Sequence, residues 1–375
     1  MLSFQKIITG LLVFCVILFF YLHIQFHLKT CNDLEVYEIE DVSKERLEEI
    51  CDLRQPILYD TRGEMDTIVN TTNKSYLVEN YPIFEIKIRE QNNNNKNESE
   101  VCVPLQLLSA QKLFEKDHDA KYFSESNGDF LTETGAIKNM AYNDQVLRPY
   151  LVSNCNYDVM FASDNFCSPL RYELNYRNYF LVTQGSVTVK LVPPKYSRYL
   201  YTIYDYEQFE FRSPINAWEP QIKYKADYDK VKSLEISLTP GRLLYIPAYW
   251  WYSFKFGHNT SVSCFRYRTY MNNIAICPHI GLYALQNQNV ERKIAKHIQP
   301  NSLNPPTADQ QNNGDQNGSD TESFTNIQDL MPSEQYEPSV VEPSITAANV
   351  EPESTNISDI PDILIPVPQS ESLGA

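Results

Sequence analysis

The sequence predicts a mainly β body with flanking helices, one apolar amino-terminal helix and a polar carboxy-terminal tail. Three observations carry that expectation. Aromatic residues make up 13% of the 375-residue chain, with 26 Tyr among them, and such side chains pack well on pleated, half-buried surfaces. Several short runs between residues 81 and 268 alternate apolar and polar with period two, the spacing of strand faces. The two ends depart from this pattern in opposite directions, one strongly apolar and the other polar and acidic.

Ile7–Leu22 is one apolar run, IITGLLVFCVILFFYL, bounded by Lys6 and Lys29. Its length falls between the core of a signal peptide and a membrane span. No small residues follow it where a cleavage site would need them. The sequence there is His23-Ile24-Gln25-Phe26-His27. The expectation is a short segment over 1–6 and an uncleaved signal-anchor over 7–26 that makes the membrane one partner of the chain. Seven cysteines follow the span, and sequons begin at Asn70, Asn73, Asn97, Asn259, Asn317 and Asn356. Asn70, Asn73, Asn97 and Asn259 are the glycosylation candidates in the body. Both features fit a lumenal or extracellular body, although a chain this rich in Asn and Ser also forms sequons by chance.

The body spans 31–298. Leu34–Ile39 alternates as a strand, and Ser43 is placed to cap a helix with Leu47, Ile50 and Leu53 at helical spacing. A strand is expected over Arg54–Tyr59, another over Tyr81–Arg89, and a strand and helix over Val101–Phe114. Tyr179–Thr183 and Val187–Val192 read as a hairpin around Gln184-Gly185. Thr239-Pro240-Gly241 is a turn, with Pro preset to start it and Gly free to take positive φ. Arg242–Ile246 and Tyr249–Phe256 are strands broken by Pro247-Ala248. Trp250, Tyr252, Phe254 and Phe256 then share one face. Val262–Arg268 is a last strand, and His279–Ile298 an amphipathic helix with Leu282, Leu285, Ile294 and Ile298.

The net charge of −16 lies mostly in the tail. Residues 299–375 hold 13 acids and no Lys or Arg, which leaves the rest near −3. No basic patch suggests a nucleic-acid partner. The tail is too poor in large apolar residues to offset its ordering entropy, so it is expected to be disordered. It is a candidate surface for an unknown protein partner.

Two blocks resemble the JmjC/cupin-like (cupin-8) family. In the second, Pro240, Gly241, Leu244, Tyr245, Ile246, Pro247, Trp250 and Trp251 match the family's PGDxLYIPxxWWHxV. In the first, Pro169, Leu170, Tyr172, Asn178, Gly185, Leu191, Pro193 and Pro194 match its TPLHYDxxxNLLxQvxGrKrvxLyPP. The resemblance implies a double-stranded β-helix, the cupin or jelly-roll barrel, and an Fe(II)- and 2-oxoglutarate-dependent hydroxylase. The family's iron-binding His, Asp and His, however, fall at Arg171, Glu173 and Tyr252, and its 2-oxoglutarate-anchoring Lys falls at Val187.

Arg offers no lone pair to a cation, and Tyr ligates only as a phenolate. The expectation is therefore no catalytic residue, no metal and no cofactor. The pocket candidates are Arg171, Glu173, Asn178, Trp250 and Tyr252. Two arrangements stay open: Arg171 takes the cation's place against Glu173, with Tyr252 donating to the same carboxylate, or the three residues drifted after activity was lost and face a wet pocket. An aromatic-lined mouth would then receive a peptide or small ligand. His258 is the one histidine worth locating near the site. Two alternatives stay open: a hydroxylase with a rearranged metal site, which would need Fe(II) and 2-oxoglutarate, and a structural membrane protein that uses the barrel as a scaffold.

Overall fold

The computed structural model describes residues 2–40, 42–91 and 102–288. The tail over 299–375, the sequon at Asn97 and the expected helix beyond residue 288 lie outside the described residues. The first element, α1, runs over Leu2–Leu28. At 1.5 Å per residue it is about 40 Å long, and it is long and apolar enough to cross a membrane. Its side chains are exposed along most of its length. Near its end His23 and Ile24 are half-buried and His27 is buried.

Fifteen strands follow among the described residues: β1 (Tyr37–Glu40), β2 (Ile57–Asp60), β3 (Glu85–Glu90), β4 (Val103–Gln106), β5 (Tyr122–Ser124), β6 (Val152–Ala162), β7 (Arg171–Tyr172), β8 (Arg177–Gln184), β9 (Val187–Val192), β10 (Ile203–Asp205), β11 (Glu210–Arg212), β12 (Leu234–Leu238), β13 (Arg242–Ile246), β14 (Trp251–Phe256) and β15 (Ser261–Thr269). They form two sheets. The larger has the order β1-β2-β13-β8-β15-β6-β5-β3-β4, and the smaller the order β10-β11-β7-β14-β9-β12. Alternation along each strand divides its side chains between two cores. Tyr179, Leu181, Leu243, Tyr245, Phe265 and Tyr267 of the larger sheet face outward. They pack with α2 (Lys44–Cys51), α3 (Asp66–Thr72), α4 (Lys74–Asn80), α5 (Leu107–Lys116), α6 (Gly128–Glu133) and α7 (Ala136–Asn143). Phe180, Val182, Leu244, Ile246 and Val262 face the other way and meet Val189, Leu191, Tyr252, Phe254 and Phe256 of the smaller sheet. The shared face expected for Trp250, Tyr252, Phe254 and Phe256 lies in this second core, between the sheets.

The expected hairpin is a correction. β8 pairs with β13 and β15, and β9 pairs with β12 and β14, so the turn at Gly185 carries the chain from one sheet to the other. Alternation identified both strands but is silent on their partners, because a corner and a hairpin need the same turn residues. Gly185 has φ +73°, and a Cβ there would sit 2.5 Å from Thr260 Oγ1 and 2.8 Å from the His258 carbonyl oxygen. Only Gly meets both demands without displacing a neighbour. Pro247–Trp250 makes a similar crossing from β13 to β14, with Tyr249 at φ +67°.

Ser43 caps α2 as expected, accepting from the Arg46 amide at 3.4 Å. The expected strand at Arg54–Tyr59 begins later, at Ile57, because Arg54 has φ +60°. β6, eleven residues long, was not anticipated. Asn154, Asn156 and Asp158 interrupt its apolar pattern on one face. Within the described residues the last helices are α8 (Ile222–Tyr228), α9 (Tyr270–Ala275) and α10 (Cys277–Gln288), with Leu282 and Leu285 of α10 exposed.

Candidate functional site: an arginine–carboxylate cluster between the sheets

The space between the sheets has an apolar end and a polar end. The same strands make both. Along β15, Val262 and Cys264 join the apolar core, and Arg266 and Arg268 continue that face two and four residues beyond Cys264. Along β6, Met160 and Ala162 join it, and Asn154, Asn156 and Asp158 continue theirs. Arg266 sits between Asn156 of β6 and Asn178 of β8 in the sheet register. In the smaller sheet, Arg171 of β7 pairs with Tyr252 of β14.

Tyr252 marks the border. Its ring packs against Phe180 and Phe254, while its hydroxyl donates to Glu173 Oε1 at 2.6 Å. Glu173 also accepts from Arg266 Nε at 3.0 and 3.1 Å and from Asn175 Nδ2 at 2.7 Å. Arg266 reaches on to Asp158 at 3.3 Å. Arg171 makes a two-pronged pair with Glu125, 2.9 Å from Nη1 to Oε1 and 2.5 Å from Nη2 to Oε2. Arg89 closes the cluster, 3.0 Å from Glu125 and 2.8 Å from Glu210. Three arginines thus face four carboxylates, and Arg268 lies beside them.

One expectation needs correcting here. Arg171 does not pair with Glu173, its neighbour two residues on. Its planar fork fits the carboxylate of Glu125, which leads from β5 toward α6, and Arg266 takes Glu173 instead. A bidentate fork requires a carboxylate in its own plane, and spacing along one strand does not supply that. The hydrogen bond from Tyr252 to Glu173 is present as expected.

Burial alone would raise the Glu125 carboxyl, but the guanidinium groups of Arg171 and Arg89 outweigh it and hold its pKa at about 2. Glu173 is also held below its usual range. Burial opposes this, and Arg266 and the Tyr252 hydroxyl drive it. Tyr252 is pushed well above 10 by burial and by the charge of Glu173, so it stays a neutral phenol. Charges buried this deeply persist only when paired and hydrogen-bonded.

A cavity of about 260 Å³ opens over the cluster. Arg171, Glu173, Glu125 and Arg266 form its charged floor, and Asn154, Asn156, Asn175, Gln208 and Arg268 add polar side chains. Tyr172, Phe209 and Phe211 supply aromatic surface. The mouth is therefore polar with aromatic side chains, not aromatic-lined throughout. Of the five pocket candidates, Arg171 and Glu173 line it. Asn178, Trp250 and Tyr252 lie behind it, and Asn178 supports the wall by accepting from Asn175 Nδ2 at 3.1 Å. Arg171 Nε is buried without a hydrogen-bond partner. Arg268 donates to Asn175 Oδ1 at 2.6 Å and lies over the Phe209 ring.

The residues that sequence reasoning missed are Arg89, Glu125, Asp158, Glu210 and Arg266. For Arg266 and Asp158 a signal existed: charged residues on the inward phase of apolar strands. Glu125 carried none, because its segment has no periodicity. His258 is exposed and pairs with Asp164 at 2.5 Å, away from the cavity. Val187 is buried in the apolar core. The eight cysteines stand unbridged, with Cys51 and Cys264 buried in different cores. Asn70 is exposed and Asn259 half-buried. Asn73 caps α4 through Oδ1, and its Nδ2 donates to two carbonyl oxygens.

The match to the cupin-like domain family covers residues 44–269, and the chain belongs to that family. Over 76 residues it is 32% identical to the HSPB1-associated protein 1 of Homo sapiens and of Rattus norvegicus. That segment is 20% of this chain and spans 16% of the length of these relatives.

The ferrous site that the resemblance implies does not fit the residues Arg171, Glu173 and Tyr252. Arg171 has no lone pair to give. Tyr252 is a phenol, and both oxygens of Glu173 already accept hydrogen bonds. Among the described residues no group of three or more His, Cys, Asp or Glu is arranged to hold a metal ion.

Proposed function

We propose that this chain is a non-catalytic, cupin-like binding module held at a membrane by α1. The observation that supports it most is the pairing of Arg171 with Glu125. A permanent cation with its own buried counter-charge stands where the resemblance would put a metal ligand. The double-stranded β-helix of the family is here a receptor whose charge is internally compensated.

Cavity size bounds the ligand. At about 30 Å³ per water in the liquid, 260 Å³ holds roughly nine waters. A small polar metabolite or a single side chain of a peptide fits, and a folded partner does not. Arg268 is the guanidinium of the cavity wall that makes no carboxylate contact among those described above, so it is the residue available to a ligand. The anchor reading rests on the length and apolarity of α1.

The test is 2-oxoglutarate decarboxylation by the full chain supplied with Fe(II) and ascorbate in oxygenated buffer. The expected result is no succinate above the enzyme-free background. Turnover that scales with protein concentration would overturn the non-catalytic reading and favour a hydroxylase with a rearranged metal site.

A further inference from the structure

A second cavity, of about 550 Å³, lies where α1 meets the body. Leu22, His23, Phe26 and His27 of α1 form one side. Tyr150, Leu151, Tyr176, Tyr270 and Met271 of the body line the rest, with Glu48 and Asp52 as its charged residues. Its volume lies within the roughly 300–1,000 Å³ typical of small-molecule sites.

Three observations bear on what fills it. The first is depth. The stretch Phe4–Leu28 has 25 residues, about 37 Å as a helix, against a hydrocarbon core of about 30 Å. If Lys6 stands at one face of the bilayer, Leu22 lies about 24 Å along and within the hydrocarbon core, and Phe26 and His27, at about 30 Å, reach the headgroup boundary of the other face. The second is exposure, with Tyr150 held at the surface by Lys44 over its ring and by Glu45 at 3.5 Å from its hydroxyl. Tyr150, Leu151 and Tyr270 are 57%, 78% and 64% exposed. Leu151 is also held at φ +54°, a conformation that is costly for a side chain of this kind. The Tyr270 amide donates to the Leu151 carbonyl oxygen at 3.4 Å, so these exposed groups form one patch. The third is His27, which lines the cavity and is 8% exposed, with no hydrogen-bond partner for its Nδ1.

Tyr150 and Tyr270 beside the end of an apolar helix are of the type enriched at the membrane–water interface, and Leu151 and Met271 add apolar surface next to them. The body clamps α1 at this point. Arg54 lies over both the Phe26 and Tyr176 rings, and His27 meets the Tyr176 ring edge-on at 5.0 Å. The patch is therefore held at a fixed depth relative to α1.

We infer that this cavity is a seat for a phospholipid of the bilayer that α1 crosses, and that Tyr150, Leu151 and Tyr270 rest in the same leaflet. An acyl chain would run along Leu22, Phe26, Leu151 and Met271, with the headgroup end against His27 and Tyr176. The body then lies on the membrane surface in one orientation instead of swinging on a linker. This inference rests on the anchor reading above.

The test uses the full chain in phosphatidylcholine vesicles. An environment-sensitive fluorescent amino acid is placed at Leu151 in one variant and at Phe14, midway along α1, in another. Vesicles with spin-labelled lipids are compared with vesicles without them. The expected result is quenching at both positions, Phe14 by labels near the chain ends and Leu151 by labels near the headgroups. Quenching at Phe14 without quenching at Leu151 would overturn the lipid seat and leave the anchor standing. No quenching at Phe14 would overturn the anchor itself. If the Leu151 variant does not fold, the same label at exposed Tyr270 gives the reading.

Discussion

Replacing Glu125 with Gln removes the carboxylate that holds the centre of the cluster together. In the structure this side chain is 3% exposed and accepts from Arg171 at 2.9 and 2.5 Å. After the change the nearest remaining carboxylate to Arg171 is Glu210, at 4.0 Å. Breaking one partner out of a buried ion pair costs about 3–5 kcal/mol, because the other charge stays buried. Linkage gives the pH dependence of the same pairing. Burial would raise the Glu125 carboxyl, but the guanidinium groups of Arg171 and Arg89 bring it from its ordinary 4.5 down to about 2, so the stability of the pair is tied to pH. Because the folded pKa is the lower one, that stability is present above pH 4.5 and is lost as pH falls toward 2. The assay is urea unfolding of the full chain in mild detergent, followed by fluorescence of the three Trp, at pH 7 and pH 3. With a urea slope of about 3 kcal/mol/M, a loss of about 3 kcal/mol lowers the midpoint by roughly 1 M. Glu125→Gln should show that drop at pH 7 and a smaller further drop at pH 3 than the unaltered chain. A midpoint shift under roughly 0.2 M at pH 7, or an unchanged pH dependence, would refute the reasoning.

The remaining predictions use the same unfolding measurement or a mass. Tyr252→Phe removes one of several donors to Glu173 and should cost about 1–2 kcal/mol, whereas Arg266→Met removes the cation paired with both Glu173 and Asp158, leaving each on neutral donors alone, and should cost about 3–5 kcal/mol. Equal losses would show that Tyr252 has a larger part than the geometry gives it. Gly185→Ala forces a Cβ against Thr260 and the His258 carbonyl at positive φ and should cost more than about 1 kcal/mol, read as a lower melting temperature. Asn73→Ala should lose about 1 kcal/mol through the α4 cap. If the body lies on the lumenal side of the membrane, peptide mass mapping should find Asn73 unglycosylated, since its amide nitrogen already donates to the carbonyl oxygens of Val69 and Asn70.

Although β6 was not legible, its pattern being interrupted by Asn154, Asn156 and Asp158, most strands of the inner core were, because period-two alternation reports faces directly. Trp250 to Phe256 shows this most plainly. Partnership was not legible, as the two strands flanking Gly185 show, because a turn that changes sheets uses the same residues as one that does not. The site divides in the same way. Arg171, Glu173 and Tyr252 could be picked out from the positions they occupy in a family pattern, and the Tyr252–Glu173 bond followed from the convergence that pattern implies. The partner of Arg171 could not be found this way, since Glu125 is 46 positions away and arrives from an irregular segment beside β5. Arg266 and Arg268, two residues apart on an expected strand, were visible as residues but were read only as part of its alternation. Their inward phase, shared with Cys264, is the clue that such a reading should weigh.

The central claim is that arginine and its own carboxylates occupy the place where the family resemblance would put a metal. The most direct measurement is iron stoichiometry of the full chain, loaded anaerobically with Fe(II) in detergent, desalted and assayed beside the Arg171→His/Tyr252→His variant. The account predicts no bound iron in the unaltered protein, because Arg171 offers no lone pair and the neutral phenol of Tyr252, whose proton is committed to Glu173, is a poor ligand for a ferrous ion. Near-stoichiometric iron in the unaltered protein would contradict it. Iron gained only by the variant would show that the fold still supports the metal geometry and that these two positions took it away.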